Sequence, residues 1–300
     1  MILRVSPSKP SRYKTIANPM ITHKPITTSR FNIPHCITLS AFAKNFKANA
    51  SSTKPNTTFY YLESPNSWDF ALQDIKAIAA FAKTKNITTL IDNSYSSPLY
   101  QKPIEMGIDM AMQTATKYIG GHSDTLGGVL CGTHVMIKKI FDSEYLTIGS
   151  GIQPFNAWLL IRGLRTLPAR LERISQTTKK VIAFMKSHPK VERIIFPFDE
   201  SFPQYDLAKR QMKDAFGLFT FVLRTRKMKD IVTFCESLQH ILMAVSWGGH
   251  ESLVIPKCAG VRPAEFDAEK EEQRYIRMYV GLEVADYLIN DLQQALDRIR

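Results

Sequence analysis

Short apolar runs alternate with amphipathic stretches through the first half of the ordered-looking chain. Thr57-Thr58-Phe59-Tyr60-Tyr61-Leu62 has the β-branched and aromatic density of a strand and ends at Glu63-Ser64-Pro65. Asp74 is placed to N-cap a helix over 75–85, with Ile75, Ile78, Ala79, Phe81 and Ala82 on one apolar face and Asn86 as its stop. Ile87-Thr88-Thr89-Leu90-Ile91, closing on Asp92, reads as a buried strand of a parallel sheet. This β-α-β order predicts a right-handed parallel crossover. Residues 108–112 predict a neighbouring strand that leads to Thr114-Ala115-Thr116-Lys117, and 127–132 another after the lysine. From Pro154 the texture changes to two long amphipathic helices, 157–164 and 169–187. Strands over 191–196, 217–223 and 276–281 then alternate with helices over 209–213, 227–238 and 285–299. The simplest assembly is an α/β chain with a large, mostly parallel sheet domain over 55–165 and a smaller α+β domain over 166–300.

The carboxylate of Asp92 should emerge at the carboxyl end of its strand, where open α/β sheets bind ligands. Lys117, Thr114 and Thr116 should lie at the end of the next strand. An amine, an acid and hydroxyl donors are what pyridoxal phosphate needs for its aldehyde, its ring nitrogen and its phosphate.

Composition narrows the class further. Three hundred residues, 44% hydrophobic and 22% charged, describe an ordinary globular chain. No apolar run approaches the ~18 residues of a membrane span. The formal charge of +12 invites nucleic acid, yet residues 1–62 hold nine Lys and Arg and no acid, which leaves 30 basic against 27 acidic residues for the rest. The body has no basic stripe interleaved with aromatics, so a nucleic-acid partner is not expected. Cys36, Cys131, Cys235 and Cys258 are scattered, and neither they nor the seven histidines have metal-ligand spacing. Reduced thiols and a cytoplasmic location are the expectation. Residues 1–54 are basic, acid-free and without period. Three readings stay open for this segment: an organellar transit peptide, a disordered tail, and a remnant or mis-started beginning of a longer gene, which ranks first.

Ala115-Thr116-Lys117-Tyr118-Ile119-Gly120-Gly121-His122-Ser123-Asp124, preceded by Ile91-Asp92-Asn93-Ser94, resembles the signature of the trans-sulfuration pyridoxal-phosphate enzymes of Cys/Met metabolism. These are the cystathionine β- and γ-lyases, cystathionine γ-synthase and methionine γ-lyase. The likeness continues through Arg162-Gly163-Leu164-Arg165-Thr166-Leu167, Ser246-Trp247-Gly248-Gly249-His250-Glu251-Ser252-Leu253 and Ile276-Arg277-Met278-Tyr279-Val280-Gly281-Leu282-Glu283, covering about residues 55 to 300. It implies fold type I, a small sulfur amino acid as substrate and homotetramers of active-site dimers.

By that resemblance Lys117 would hold the cofactor and carry the Cα proton, and Asp92 would keep the ring nitrogen protonated. Thr114 and Thr116 would donate to the phosphate, Arg277 would clamp the substrate carboxylate, and Ser246 and Trp247 would assist at the same place. His122 and Asp124 are given structural roles. Ser-Trp-Gly-Gly, Ser67 after Glu63-Ser64-Pro65, and the run 217–223 look like the cystathionine β-lyase branch. Val245 stands where the cystathionine γ-enzymes tend to carry Glu, which favours a smaller thioether or cysteine. The family's first quarter, with its Gly-Met phosphate loop, stacking Tyr and Tyr-x-Arg, is not found in residues 1–54, and Gly is missing before Gly107. The chain is therefore read as lacking its amino-terminal portion, with open sheet edges. The expected reaction is β-elimination of cystathionine or cysteine. The alternatives are a γ-acting relative and a catalytically silent fragment.

Overall fold

The computed structural model describes residues 3–4, 36–39 and 53–299. Two sheets organise them. The first has six strands, in the order 3–4, 128–132, 110–114, 88–92, 59–63 and 36–39, and the second five, in the order 191–195, 218–223, 275–279, 253–256 and 242–243.

The first sheet is built from β1 (Leu3–Arg4), β2 (Cys36–Leu39), β3 (Phe59–Glu63), β4 (Thr88–Asp92), β5 (Met110–Thr114) and β6 (Gly128–Gly132). Its pairs are parallel except β5 with β6. Helix α1 (Ile75–Thr84) connects β3 to β4, and Asp74 caps it, accepting from Ala77 N at 3.1 Å. Alternation along the strands sends Tyr60, Leu62, Ile91 and Ala111 against Ile75, Ile78, Ala79 and Ala82 of α1. Tyr61, Leu90 and Met112 face the other way and are only half-buried. Strand register sets Glu63 beside Asp92 and Asp92 beside Met112, so both carboxylates arrive at one end of the sheet.

Most of the basic segment 1–54 lies outside the described residues. Within its described part, β2 pairs in parallel with β3 and β1 with β6, so the segment adds a strand at each side of the sheet.

The second sheet consists of β7 (Val191–Ile195), β8 (Leu218–Leu223), β9 (Leu242–Met243), β10 (Leu253–Pro256) and β11 (Tyr275–Tyr279). Phe219, Phe221, Val222, Ile276 and Met278 are buried on both faces of it. Around them lie α2 (Pro154–Ser187), α3 (Tyr205–Gln211), α4 (Met228–Ser237) and α5 (Ala285–Arg298). Truncating Phe221 or Phe219 in such a place costs about 3–5 kcal/mol.

Two expectations need correction, and two strands come in addition. The helices at 157–164 and 169–187 are one helix, α2, which runs through Pro168 and across the expected boundary at 165. Proline there removes one hydrogen bond, but its ring points to solvent while Leu160, Leu167, Leu171 and Ile174 keep a continuous buried stripe. The helix expected at 209–213 is α3, ending at Gln211. Strands β9 and β10 flank the Gly248-Gly249 turn and had no alternating pattern to announce them.

Helix α2 approaches the first sheet at Gly163, where a Cβ would lie 2.3 Å from Gly120 O and 2.4 Å from Ile119 O. Gly163→Ala should cost about 2–3 kcal/mol in urea denaturation, because backbone carbonyls cannot rotate away. Gly149→Ala meets nothing within 4 Å and has φ +72°, so it should cost only about 1 kcal/mol of left-handed strain. The reverse order of the two costs contradicts the close approach.

Candidate active site

Lys117 follows β5 in a turn closed by Lys117 N to Thr114 O at 3.1 Å, Gly120 N to Ala115 O at 2.7 Å and Gly121 N to Lys117 O at 2.8 Å. The residue is buried. Its Nζ donates to Ser246 Oγ at 3.0 Å and stands 5.3 Å from the Trp247 ring centroid. Trp247 is itself buried and meets Tyr118 edge-on at 5.4 Å. Gly248 then passes so close that a Cβ would lie 2.8 Å from Lys117 Cα, with φ +88°. Only glycine fits both the contact and the backbone.

Burial holds the Lys117 ammonium down to about 8 from 10.5, with the Arg277 charge adding to the shift and Asp92 opposing it. Asp92 ends β4, and one oxygen accepts from Ser94 N at 2.9 Å. Burial raises its carboxyl above the usual range, against the Ser94 hydrogen bonds and the Lys117 charge. Ser94 Oγ also accepts from Thr114 N at 2.6 Å, which ties the ends of β4 and β5 together.

Arg277 is buried on β11, donating from Nη1 to Ser67 O at 3.1 Å and from Nη2 to Val245 O, with Trp68 4.9 Å from its guanidinium carbon. Two of its five N–H groups are thereby engaged. Burial lowers it to about 10 while Glu63 pulls it back up. Glu63 is exposed at the end of β3; desolvation by the surrounding protein, then the Asp92 charge, pushes it up to about 7 against Arg277. Asn66 Oδ1 accepts from the backbone N of Trp68, Asp69 and Phe70, shaping the loop that brings Ser67 and Trp68 to Arg277.

The structure thus brings Lys117, Ser246 and Trp247 into direct contact and sets Asp92 and Arg277 within electrostatic range of the lysine. Thr114 and Thr116 flank Ala115 at the start of the same turn. The Thr114 hydroxyl makes no hydrogen bond among the described residues. Thr116 Oγ1 accepts from Gly127 N at 3.1 Å and points its own hydrogen at Gly127 O across a long 3.4 Å. His122 Nδ1 lies 2.7 Å from Gly120 O.

Sequence reasoning assigned no role to Glu63, Trp68, Ser94 or Gly248. Glu63 and Asp92 each end a strand-like apolar run, which is the one pattern that pairs them in advance.

A buried amine with a low proton affinity, beside a carboxylate at the carboxyl ends of a mostly parallel sheet, is the site of a fold-type-I α/β protein. Comparison with known proteins agrees with that class. The model of the Cys/Met metabolism PLP-dependent enzyme family matches residues 26–297, and the chain belongs to that family. It is 34% identical over 278 residues to L-methionine gamma-lyase of Treponema denticola, covering 90% of this chain and 68% of the relative. With cystathionine gamma-lyase of Dictyostelium discoideum the identity is 35% over 81% of this chain and 63% of the relative. With cystathionine beta-lyase MetC of Bacillus subtilis it is 34% over 83% and 65%. The chain therefore spans about two thirds of the length of these curated relatives. The crystal structure of cystathionine gamma-lyase from Lactobacillus plantarum, complexed with L-serine, superposes with a TM-score of 0.84 at 28% identity, covering 95% of this chain and 82% of that one. The family match begins within the acid-free segment, earlier than the quoted motifs reach.

The donor set fits the family's cofactor. A depressed amine, a buried carboxyl and the unengaged Thr114 hydroxyl match its aldehyde, ring nitrogen and phosphate.

In the reductively 13C-methylated chain, the Lys117 signal should titrate with a midpoint of about 8. Arg277→Met removes a like charge and should move that midpoint up, yet keep it below 10.5, since burial is the larger cause. A wild-type midpoint near 10.5, or a downward move in the variant, contradicts the arrangement.

Proposed function

We propose that the chain is a pyridoxal-phosphate-dependent carbon–sulfur lyase that performs β-elimination on cystathionine or cysteine, releasing a thiol, pyruvate and ammonia. The observation that carries this reading is the Lys117 amine, held at Ser246 with its proton affinity lowered. Lys117, Asp92, Thr114 and Thr116 would hold the cofactor, which when bound supplies an electron sink for the pair left at Cα.

The chain's own residues divide the remaining work. Arg277 receives the substrate α-carboxylate on its unengaged N–H groups and so orients the Cα–H bond. Lys117, neutral in a growing fraction as pH rises toward about 8, takes the Cα proton. The electron pair from that bond forms the Cα–Cβ double bond as the Cβ–S bond breaks, and the sulfur leaves with its pair and gains a proton. Lys117, protonated by the first step, would supply that proton. Released aminoacrylate reacts with water to give pyruvate and ammonia. Asp92 would keep the ring nitrogen of the bound cofactor protonated, and Ser246 accepts from the lysine amine and fixes its position. Trp247 lines the same side.

A γ-acting reaction is the second reading, favoured by relatives named methionine gamma-lyase and cystathionine gamma-lyase. Val245, 56% exposed beside Arg277, offers no charge for a distal ammonium and supports a small thioether or cysteine. A tetramer of active-site dimers is part of the proposal; Phe155 and Trp158, 67% and 56% exposed on α2, support association between copies. Cys131, Cys235 and Cys258 are free, which supports a reducing, cytoplasmic setting. Among the described residues no helix is long and apolar enough to cross a membrane.

Product analysis tests the reading. With added cofactor, cystathionine or cysteine should yield pyruvate, and Lys117→Ala should lower the rate at least ~10³-fold. 2-Oxobutyrate from cystathionine or from methionine, in place of pyruvate, establishes the γ reading, and no oxo acid from cystathionine, cysteine or methionine contradicts both.

A further inference from the structure

A buried polar network leads from the site to α3. Gln204, just before that helix, lays its amide against the backbone of Leu72: Oε1 accepts from Leu72 N at 2.7 Å and Nε2 donates to Leu72 O at 2.8 Å. Gln211, the last residue of α3, donates from Nε2 to Gln73 O at 3.1 Å and to Ser64 Oγ at 3.4 Å, while its Oε1 lies 3.5 Å from Ile75 N. Residues 72–74 have no strand partner, so these two amides supply hydrogen bonds that a sheet would otherwise provide. Leu72, Gln73 and Gln211 are buried, so water cannot replace the Gln211 amide without opening the packing, and Gln204 is half-buried over the same segment.

Both ends of the strapped segment reach the site. Its loop carries Ser67, whose carbonyl accepts from Arg277, and Trp68, which lies against the guanidinium. Thr220 Oγ1 on β8 holds Trp68 O at 2.7 Å. In the other direction Ser64 O accepts from Gln101 Nε2 at 2.8 Å, and the same nitrogen donates to Asn93 Oδ1 at 2.8 Å. Asn93 is the residue after Asp92. Ser64, Gln101 and Asn93 are each 1% exposed, so the chain of contacts from α3 to the end of β4 runs entirely inside the protein.

We infer that Gln204 and Gln211 are positioning residues of the site: by strapping residues 72–75 to α3 they fix the loop that presents Ser67 and Trp68 to Arg277. Neither glutamine touches the reacting atoms. Their effect passes through the orientation of one guanidinium, and so falls first on substrate binding. Only the kinetic arm of the test rests on the proposed function.

The full chain labelled with 5-fluorotryptophan has three 19F resonances, from Trp68, Trp158 and Trp247, and Trp68→Phe assigns the relevant one. Gln204→Met and Gln211→Met should shift or broaden the Trp68 line and leave Trp158 and Trp247 in place. Gln204→Glu keeps the acceptor for Leu72 N and loses the donor, so it should displace the Trp68 line less, and it serves where Gln204→Met does not fold. An unmoved Trp68 line, or equal movement of all three, overturns the inference. In a chain that releases oxo acid, KM for the amino acid should rise about tenfold in Gln204→Met, the weight of one charge-assisted hydrogen bond, with kcat within about twofold. A fall in kcat at unchanged KM overturns the inference as well. A wild-type chain without oxo-acid release contradicts the proposed function alone, and the fluorine spectra then decide the strap.

Discussion

Everything at the site depends on the close packing of residues 246–249 onto the lysine turn. Gly248 lets two backbones meet at Lys117 Cα, which brings Ser246 to the amine and Trp247 beneath it. Tyr118 and Trp247 complete the contact edge-on, and Tyr279 OH secures Gly249 O from below at 2.8 Å. The same turn is held from behind by α2, where Gly163 touches the carbonyls of Ile119 and Gly120 and Arg170 donates to Gly163 O at 2.8 Å. A lysine clamped between two such surfaces has lost most of its water, and its lowered proton affinity follows.

Charge around this contact is balanced across the cleft rather than within ion pairs. Asp92 and Glu63 end neighbouring strands; burial raises both carboxyls, and the Asp92 charge raises Glu63 further. Lys117 and Arg277 oppose one another and are each favoured by one carboxylate: Asp92 for the lysine, Glu63 for the arginine. None of the four makes a salt bridge within 4 Å among the described residues. Groups left in this state respond strongly to any charged molecule that enters, which is why such clusters mark binding sites.

The sequence foretold the parts of this arrangement that follow from period and punctuation. Apolar runs ending in Asp92 and Thr114 placed a carboxylate and a lysine turn at one sheet end, and the Asp74 cap located α1 within a residue. Other parts depended on tertiary context. Pro168 reads as a helix break, but the buried stripe on either side of it carries α2 through. Strands β9 and β10 are short, and their neighbours determine them more than their own pattern does. The Thr116 contact with Gly127 and the Glu63 environment arise between elements distant in sequence, as does the Gln204 strap across 132 positions. The family signature located Lys117 and Arg277; the geometry adds what holds each of them.

The most direct test of the central claim, that this packing singles out Lys117, is borohydride reduction of the chain incubated with pyridoxal phosphate, followed by mass spectrometry of its peptides. The expected result is covalent label on Lys117, strongly reduced in Gly248→Ala, whose added methyl displaces the lysine turn. Label spread over exposed lysines with Lys117 unmodified, or equal labelling of Lys117 in the variant, would contradict the account.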